Sequence, residues 1–316
     1  MRAAADGPEQ QIETQLRAAF PDCRGLSFEG RSTIVFEDKD EQERRLFYKV
    51  GTGGSSADLS LLQYEAEGLS RLEAASGGLL AVPKPWLTGE VTRGPACGGV
   101  SGFIVMDELE MGGRRGAEAQ RALGKGLAAV HGAPPGEGWP TGRFGFPMDG
   151  CCGALAQPNN PGAAEMTWVE FWARHRLGFQ LEQCRSCAPI QEAGSKLLPK
   201  LGALFEGLED VQPSLLHGDL WSGNHGVAAD GRPCLYAPAC YYGHDEADFG
   251  IANMFGGLSS DFYEAYFEER PKKQGFEDRA LLYELHHHLN HMNIFGGSYQ
   301  HGALSLMNRL LKVVGR

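Results

Sequence analysis

Residues 215–224 read LLHGDLWSGN, and this stretch decides the fold. Leu215 and Leu216 predict the end of a short buried strand, and the polar residues after them predict a turn. Within that turn Asp219 stands five residues before Asn224. A carboxylate and an amide held a short loop apart can divide one task. The carboxylate accepts the proton of an attacking hydroxyl, and the amide oxygen holds a metal ion on nucleotide phosphates. His217 would brace the loop through a side-chain hydrogen bond. An HGD triplet alone reads equally well as a polar turn before a helix. The asparagine in register favours a phosphoryl-transfer loop, with Asp219 as catalytic base and Asn224 as metal ligand.

Upstream, the parts that such a loop needs follow one another. Residues 9–20 predict a helix, and residues 26–37 predict a strand–turn–strand containing Ile34, Val35 and Phe36. The charged run 38–45 predicts a turn, and LFYKV at 46–50 a strand carrying Lys49. Residues 58–75 place Leu61, Leu62, Leu69 and Leu72 at helical spacing, on a helix that carries Glu67. Kinase-type folds pair such a lysine with such a glutamate and aim the lysine at nucleotide phosphates. Taken alone, Lys49 ending an edge strand and Glu67 facing water is the simpler reading. FIVMDEL at 103–109 runs from an apolar strand into a polar corner, which suits a hinge where Asp107, Glu108 and Leu109 meet an adenine edge. The turn FEGRS at 28–32, with Gly30 and Arg31, is the expected nucleotide cover. GTGGSS at 51–56 has no G-x-x-x-x-G-K-[ST] pattern and follows the lysine strand, so it reads as a linker.

Beyond Met111-Gly112-Gly113 the patterns turn helical, at 117–131, 166–187, 195–206, 246–255, 259–268, 277–295 and 302–313. A Gly/Pro-rich loop is expected at 132–165, and Asp230-Gly231 predicts a hairpin. Strands early and helices late imply an α+β chain in two lobes, a small sheet lobe at 1–109 and a larger helical lobe at 110–316. A length of 316 residues accommodates both. The net charge of −11 disfavours nucleic acid and anionic membrane as partners. No apolar run approaches a membrane span. The first residues, MRAAADGPEQQIETQL, lack an apolar leader, so a cytoplasmic location is expected, with an organelle left open. The eight cysteines are expected as free thiols, and Cys184-x-x-Cys187, without a second pair, is not read as a zinc site.

These motifs resemble the fructosamine/ketosamine kinase family, over about residues 25–312. LLHGDLWSGN at 215–224 and YAPACYYGHDEAD at 236–248 carry most of the likeness. FGG at 255–257, FYEAY at 262–266, GFEDR at 275–279 and LLYELHHHLNHMNIFG at 281–296 follow. Upstream, FGF at 144–146, CCG at 151–153 and W-x-x-F-W-x-x-H-R-L at 168–177 match as well. The Trp221-Ser222-Gly223 insert and the run through Tyr241-Tyr242-Gly243-His244 set the chain apart from the aminoglycoside and choline kinases. The resemblance implies a protein-kinase-like fold and ATP-dependent, magnesium-dependent phosphorylation of the 3-hydroxyl of ketosamines, free or as glycated lysines on proteins. The product decomposes and releases the amine. It also implies Asp219 as base, Asn224 as metal ligand, Lys49 with Glu67 as phosphate anchor, and Asp107–Leu109 as adenine hinge. Trp221 is expected to give the sugar a flat face, and His288, Asn290 and His291 to lie on the substrate side. The cluster of His286, His287, His288 and His291 is not read as a metal site. The oligomeric state is expected to be monomer or homodimer.

Two departures stand out. The family pattern at 236–238 has an aspartate as second metal ligand, and this chain has Ala237 in an otherwise complete frame. A designed inactivating substitution is the favoured reading and a recent pseudoenzyme the alternative. The chain as written is expected to be a nearly dead kinase or, on the second reading, a silent ketosamine-binding protein. Many family members also carry a cysteine in the phosphate-covering turn, where this chain has Leu26. Cys23 lies three residues away, and a Cys23–Cys23 link is the form that a redox coupling between protomers would take.

Overall fold

The computed structural model describes residues 7–53, 57–93, 99–160, 162, 165–208 and 210–315. Residues 54–56 of the expected linker, and Cys97, lie outside this set. The chain opens with α1 (Pro8–Ala19), β1 (Arg24–Glu29), β2 (Thr33–Glu37), β3 (Glu43–Val50), α2 (Ala57–Ser76), β4 (Pro85–Arg93) and β5 (Gly99–Asp107). The five strands form one antiparallel sheet in the order β1-β2-β3-β5-β4. Strand β4, with its Gly, Thr and Glu residues, carries no long apolar run to announce it in the sequence.

Strand β5 sits between β3 and β4 and is buried on both faces. Its side chains alternate as a period of two requires. Phe103 and Val105 enter an outer core with Ile12 and Leu16 of α1. Ile104 and Met106 enter the main core with Leu62, Leu69 and Leu72 of α2. Gly102 lets the start of α2 lie directly on the strand, because a Cβ there would collide with the backbone of Leu59.

After Asp107 come α3 (Ala117–Gly132) and a short hairpin of β6 (Gly150–Cys152) and β7 (Leu155–Gln157). The hairpin falls inside the expected loop 132–165. The expected helix 166–187 is three pieces: α4 (Trp168–Phe171), a π-helical segment (Trp172–Gly178) and α5 (Phe179–Gln183). Thr167 and Glu170 close a capping box at its start. From the π segment the buried Arg176 bonds the Pro158 carbonyl and Asn159 Oδ1, both at 2.7 Å. Those bonds tie down the chain leaving β7. Helix α6 (Ala188–Leu197) and a 3-10 helix (Leu198–Phe205) occupy the region of the expected helix 195–206. Next follow β8 (Ser214–Leu216), the hairpin β9 (His225–Val227) and β10 (Pro233–Leu235) turned at Asp230-Gly231, and β11 (Tyr241–Gly243). A 3-10 helix (Asp245–Phe249), α7 (Gly250–Phe255), α8 (Ser260–Glu269), α9 (Phe276–Phe295) and α10 (Gln300–Val313) complete the helical part. The α+β class expected from the sequence is the observed one.

Candidate active site

Strand periodicity delivers Lys49. Leu46 and Tyr48 of β3 point into the outer core, so Phe47 and Lys49 face α2. There Lys49 Nζ pairs with Glu65. This corrects the expected partner: Glu67 binds Arg71, one helical turn on, at 2.6 Å. The helix supplies the reason. Glu65 lies three residues after Leu62 and four before Leu69, both buried, and so shares their face. Glu67 is turned about 200° from it. Arg71 reaches on to the Tyr242 hydroxyl at 3.2 Å, so Glu67 belongs to a brace between α2 and β11.

The loop at 217–224 is held from below by a residue that the motif reading did not single out. Asp248, fully buried, accepts the backbone N–H groups of His217 at 2.8 Å and Gly218 at 2.6 Å. His131 Nε2 lies 3.0 Å from the same carboxylate, and His131 Nδ1 lies 2.7 Å from the Tyr266 hydroxyl. Burial pushes the Asp248 carboxyl up, but the His131 bond, the neighbouring imidazoles and the Gly218 N–H together hold it below the usual range. Gly218 adopts φ +79°, and any Cβ there would run into the Ala239 carbonyl. His217 braces the loop as expected: its Nδ1 takes the Asp219 N–H at 3.3 Å, and its Nε2 lies 3.1 Å from the Tyr236 carbonyl.

Burial raises the Asp219 carboxyl to about 6, opposed by a hydrogen bond from Asn224 and reinforced by the charge of Asp248. A carboxyl with that value is ionised at neutral pH and still basic enough to take a proton. Asn224 Nδ2 donates to the Asp219 backbone carbonyl at 2.8 Å and to Asp219 Oδ2 at 2.9 Å. That leaves Asn224 Oδ1 as the oxygen available to a cation. Residue 237 sits across the loop, its carbonyl 3.5 Å from the same Nδ2. Ala237 is exposed and adopts φ +52°. The left-handed region is unfavourable for a residue with a Cβ, and aspartate and asparagine tolerate it best after glycine. The backbone is thus set for Asp or Asn where a methyl group stands. Magnesium is usually held by one or two carboxylates with phosphate oxygens and waters. One amide oxygen and a methyl group do not make that donor set, so these residues do not fit the ion.

The β6–β7 hairpin lies against the catalytic loop. Cys152 is buried beside Asp219 and His287. Cys151 is pushed up first by burial and then by Glu65, with Lys49 and Asp219 also close enough to act on it.

Of the expected substrate-side residues, Trp221 lies back over Gly223 with its ring 5.8 Å from Phe255. Phe255 continues to His291 at 4.9 Å, and His291 to Phe295 and Tyr299 at 5.5 and 5.3 Å. Phe255 is 39% and Phe295 65% exposed, which makes an open aromatic wall. His288 instead packs on Gly302 of α10, with its Nε2 3.5 Å from Glu284. Asn290 is buried, where it accepts from Gln180 at 3.0 Å and donates to the Cys152 carbonyl at 3.1 Å. From this helix it is His287 that reaches Asp219. Burial and the nearby His291 push His287 down to about 3, so it is neutral.

At the expected hinge the acidic side chains are already engaged. Asp107 accepts from the Trp86 indole at 2.7 Å, and Glu108 accepts from the Thr33 hydroxyl at 2.8 Å and Arg45 at 2.9 Å. Leu109 packs against Ala81, Ala228 and Cys234. A base edge could meet only the backbone here. Gly30 turns the chain between β1 and β2 with φ +58°, and Arg31, Ser32 and Lys49 line one cavity of about 640 Å³. A cavity of about 890 Å³ runs behind the hinge, and none of Lys49, Asp219 or Asn224 lines it. Cys23 is buried in the outer core, which removes it from a link between protomers in this conformation.

Residues 25–313 match the family model described as fructosamine kinase. The chloroplastic protein-ribulosamine 3-kinase of Oryza sativa subsp. indica is 40% identical over 258 residues, covering 81% of this chain and 70% of that protein. The ketosamine-3-kinase of Mus musculus is 36% identical over 296 residues, covering 86% and 90%. A solved structure from Thermobifida fusca, named after the fructosamine-3-kinases, aligns with a TM-score of 0.73 at 26% identity and covers 95% of this chain and 98% of that one. The aminoglycoside phosphotransferase APH(4)-Ia aligns at 0.53 and 16% identity, over 96% and 98%, and shares the fold.

Proposed function

Because the chain belongs to the fructosamine kinase family, we propose that it carries the frame of an ATP-dependent ketosamine 3-kinase, impaired at residue 237. The observation that carries the reading is the constellation around Asp219. A half-buried carboxylate raised to about 6 is held by Asn224 and by a loop clamped on Asp248. In this reading Asp219 takes the proton of the sugar 3-hydroxyl. Lys49, fixed by Glu65, holds nucleotide phosphates under the Gly30–Arg31 turn, and the backbone of 107–109 meets the adenine. Trp221 and the aromatic wall behind it receive the sugar and its amine. Asn224 is a side-chain ligand that this chain retains at the family's magnesium position, and Ala237 lacks the carboxylate that would complete it. The relatives named for ribulosamine and ketosamine support the substrate class, free or on glycated lysines. The two lobes divide at Leu109. We place the protein in the cytoplasm, with an organelle left open, as monomer or homodimer, without nucleic acid or membrane as partner. No helix among the described residues is long and apolar enough to cross a membrane.

Ala237 supports a second reading, a silent ketosamine-binding protein. The test is ATP-dependent phosphorylation of fructosyl-lysine and ribulosyl-lysine with residue 237 as Ala and as Asp. Transfer to the 3-hydroxyl by the Asp form supports the kinase frame. Binding of both ligands without transfer supports the silent binder.

A further inference from the structure

The CCG motif at 151–153 has no part in the phosphoryl-transfer chemistry above, yet it brings a thiol to the base. Cys152 Sγ, an Asp219 carboxylate oxygen and a ring nitrogen of His287 all lie within 4.8 Å of one another. They come from three separate elements, the β6 strand, the catalytic loop and α9. Cys152 is 3% and His287 4% exposed, and His287 Nδ1 is buried with no hydrogen-bond partner. A buried imidazole nitrogen without a partner calls for a ligand or an explanation.

The surroundings hold all three donors in place. Asn290 fixes the Cys152 carbonyl at 3.1 Å, His291 Nδ1 bonds the His287 carbonyl at 2.9 Å, and Asn224 orients Asp219. Supported ligands of this kind are what metal sites require. One sulfur, one imidazole nitrogen and one carboxylate oxygen form a borderline-soft set of the type zinc takes, not the all-oxygen set of magnesium. Zinc–ligand bonds of about 2.0–2.3 Å put tetrahedral donors roughly 3.3–3.8 Å apart, so a contraction of about 1 Å closes the set. Three protein ligands leave a fourth position for water.

We propose that Cys152, Asp219 and His287 form a binding site for a thiophilic divalent cation of the zinc class, and that its occupancy blocks Asp219 as a base. Binding releases the thiol proton to solvent, and the sulfur, imidazole and carboxylate each donate a pair to the ion with no redox change. The site does not include Asn224 and does not depend on turnover.

Cobalt(II) is the probe, titrated into the intact chain with zinc as competitor. The expected result is one equivalent bound with a thiolate-to-cobalt charge-transfer band that zinc abolishes. Cys152→Ser removes the band. Cys152→Ser and His287→Gln each weaken cobalt binding at least about tenfold, since even outer-sphere changes cost that much. Cys151→Ser and the double Cys184→Ser/Cys187→Ser variant keep the band. A parent protein without the band overturns the proposal whether or not the variants fold. So does a band that survives Cys152→Ser, or one that is lost with Cys184 and Cys187.

Discussion

Replacing Ala237 separates backbone strain from chemistry at one position. The residue holds φ +52°, is exposed, and lies beside Asn224. A Cβ in the left-handed region costs roughly 1–2 kcal/mol relative to glycine. Ala237→Gly and Ala237→Asn should therefore be more stable than the parent by up to about 1 kcal/mol, after the added chain entropy of glycine is counted. Ala237→Asp should gain less, because it adds a second carboxylate to the loop that already holds the half-buried Asp219. Activity should order differently. Only Asp adds a carboxylate for magnesium. A metal term of several kcal/mol corresponds to about 10³-fold in rate, and only the Asp form should recover it. The assay is ADP release with fructosyl-lysine under a magnesium titration, beside urea midpoints for all four proteins. An Asp form that binds ATP and ketosamine but turns over no faster than the Asn form would refute the reasoning.

Three further outcomes are expected. Asp219→Asn, made in the Ala237→Asp background, should lower transfer by about 10²–10⁴. Because burial raises the native carboxyl to about 6 from 3.8, the folded protein keeps a proton between those values that the unfolded chain has released. Stability is then lost as pH rises through that window, so the Asn form should be more stable by up to about 3 kcal/mol at pH 7, and the gain should vanish below pH 4; urea midpoints at both pH values check it, and kcat/KM in the active background should rise with an apparent value near 6. Glu65→Gln should raise the KM for ATP about tenfold or more, the equivalent of roughly 1.4 kcal/mol, while Glu67→Gln leaves it nearly unchanged; steady-state kinetics on the pair distinguishes the anchor from the brace. Trp221→Ala should weaken ketosamine binding by roughly 1–3 kcal/mol and leave ATP affinity intact, as read by calorimetry on each ligand.

The sequence alone determined the elements whose signals are local. The hydrophobic run at 103–106, the Asp230-Gly231 turn and the apolar spacing of α2 each specify their own structure, because strand alternation, turn chemistry and helix period act over a few residues. The Asp219–Asn224 interval marked the loop at 217–224 for the same reason. Glu65 was within reach of such reasoning, since it shares a helical stripe with Leu62 and Leu69. Other features were decided only in three dimensions. Strand β4 is held by its pairing with β5, not by its own composition, and the β6–β7 hairpin and the chain leaving it are held by Asn290 and Arg176 from distant helices. Asp248 clamps the loop across 30 residues of sequence, and His287 was separated from His288 only by which face of α9 meets Asp219 and which meets α10. Long-range burial set those roles: a buried carboxylate or imidazole takes its function from the partners that packing brings to it, and no local pattern records them.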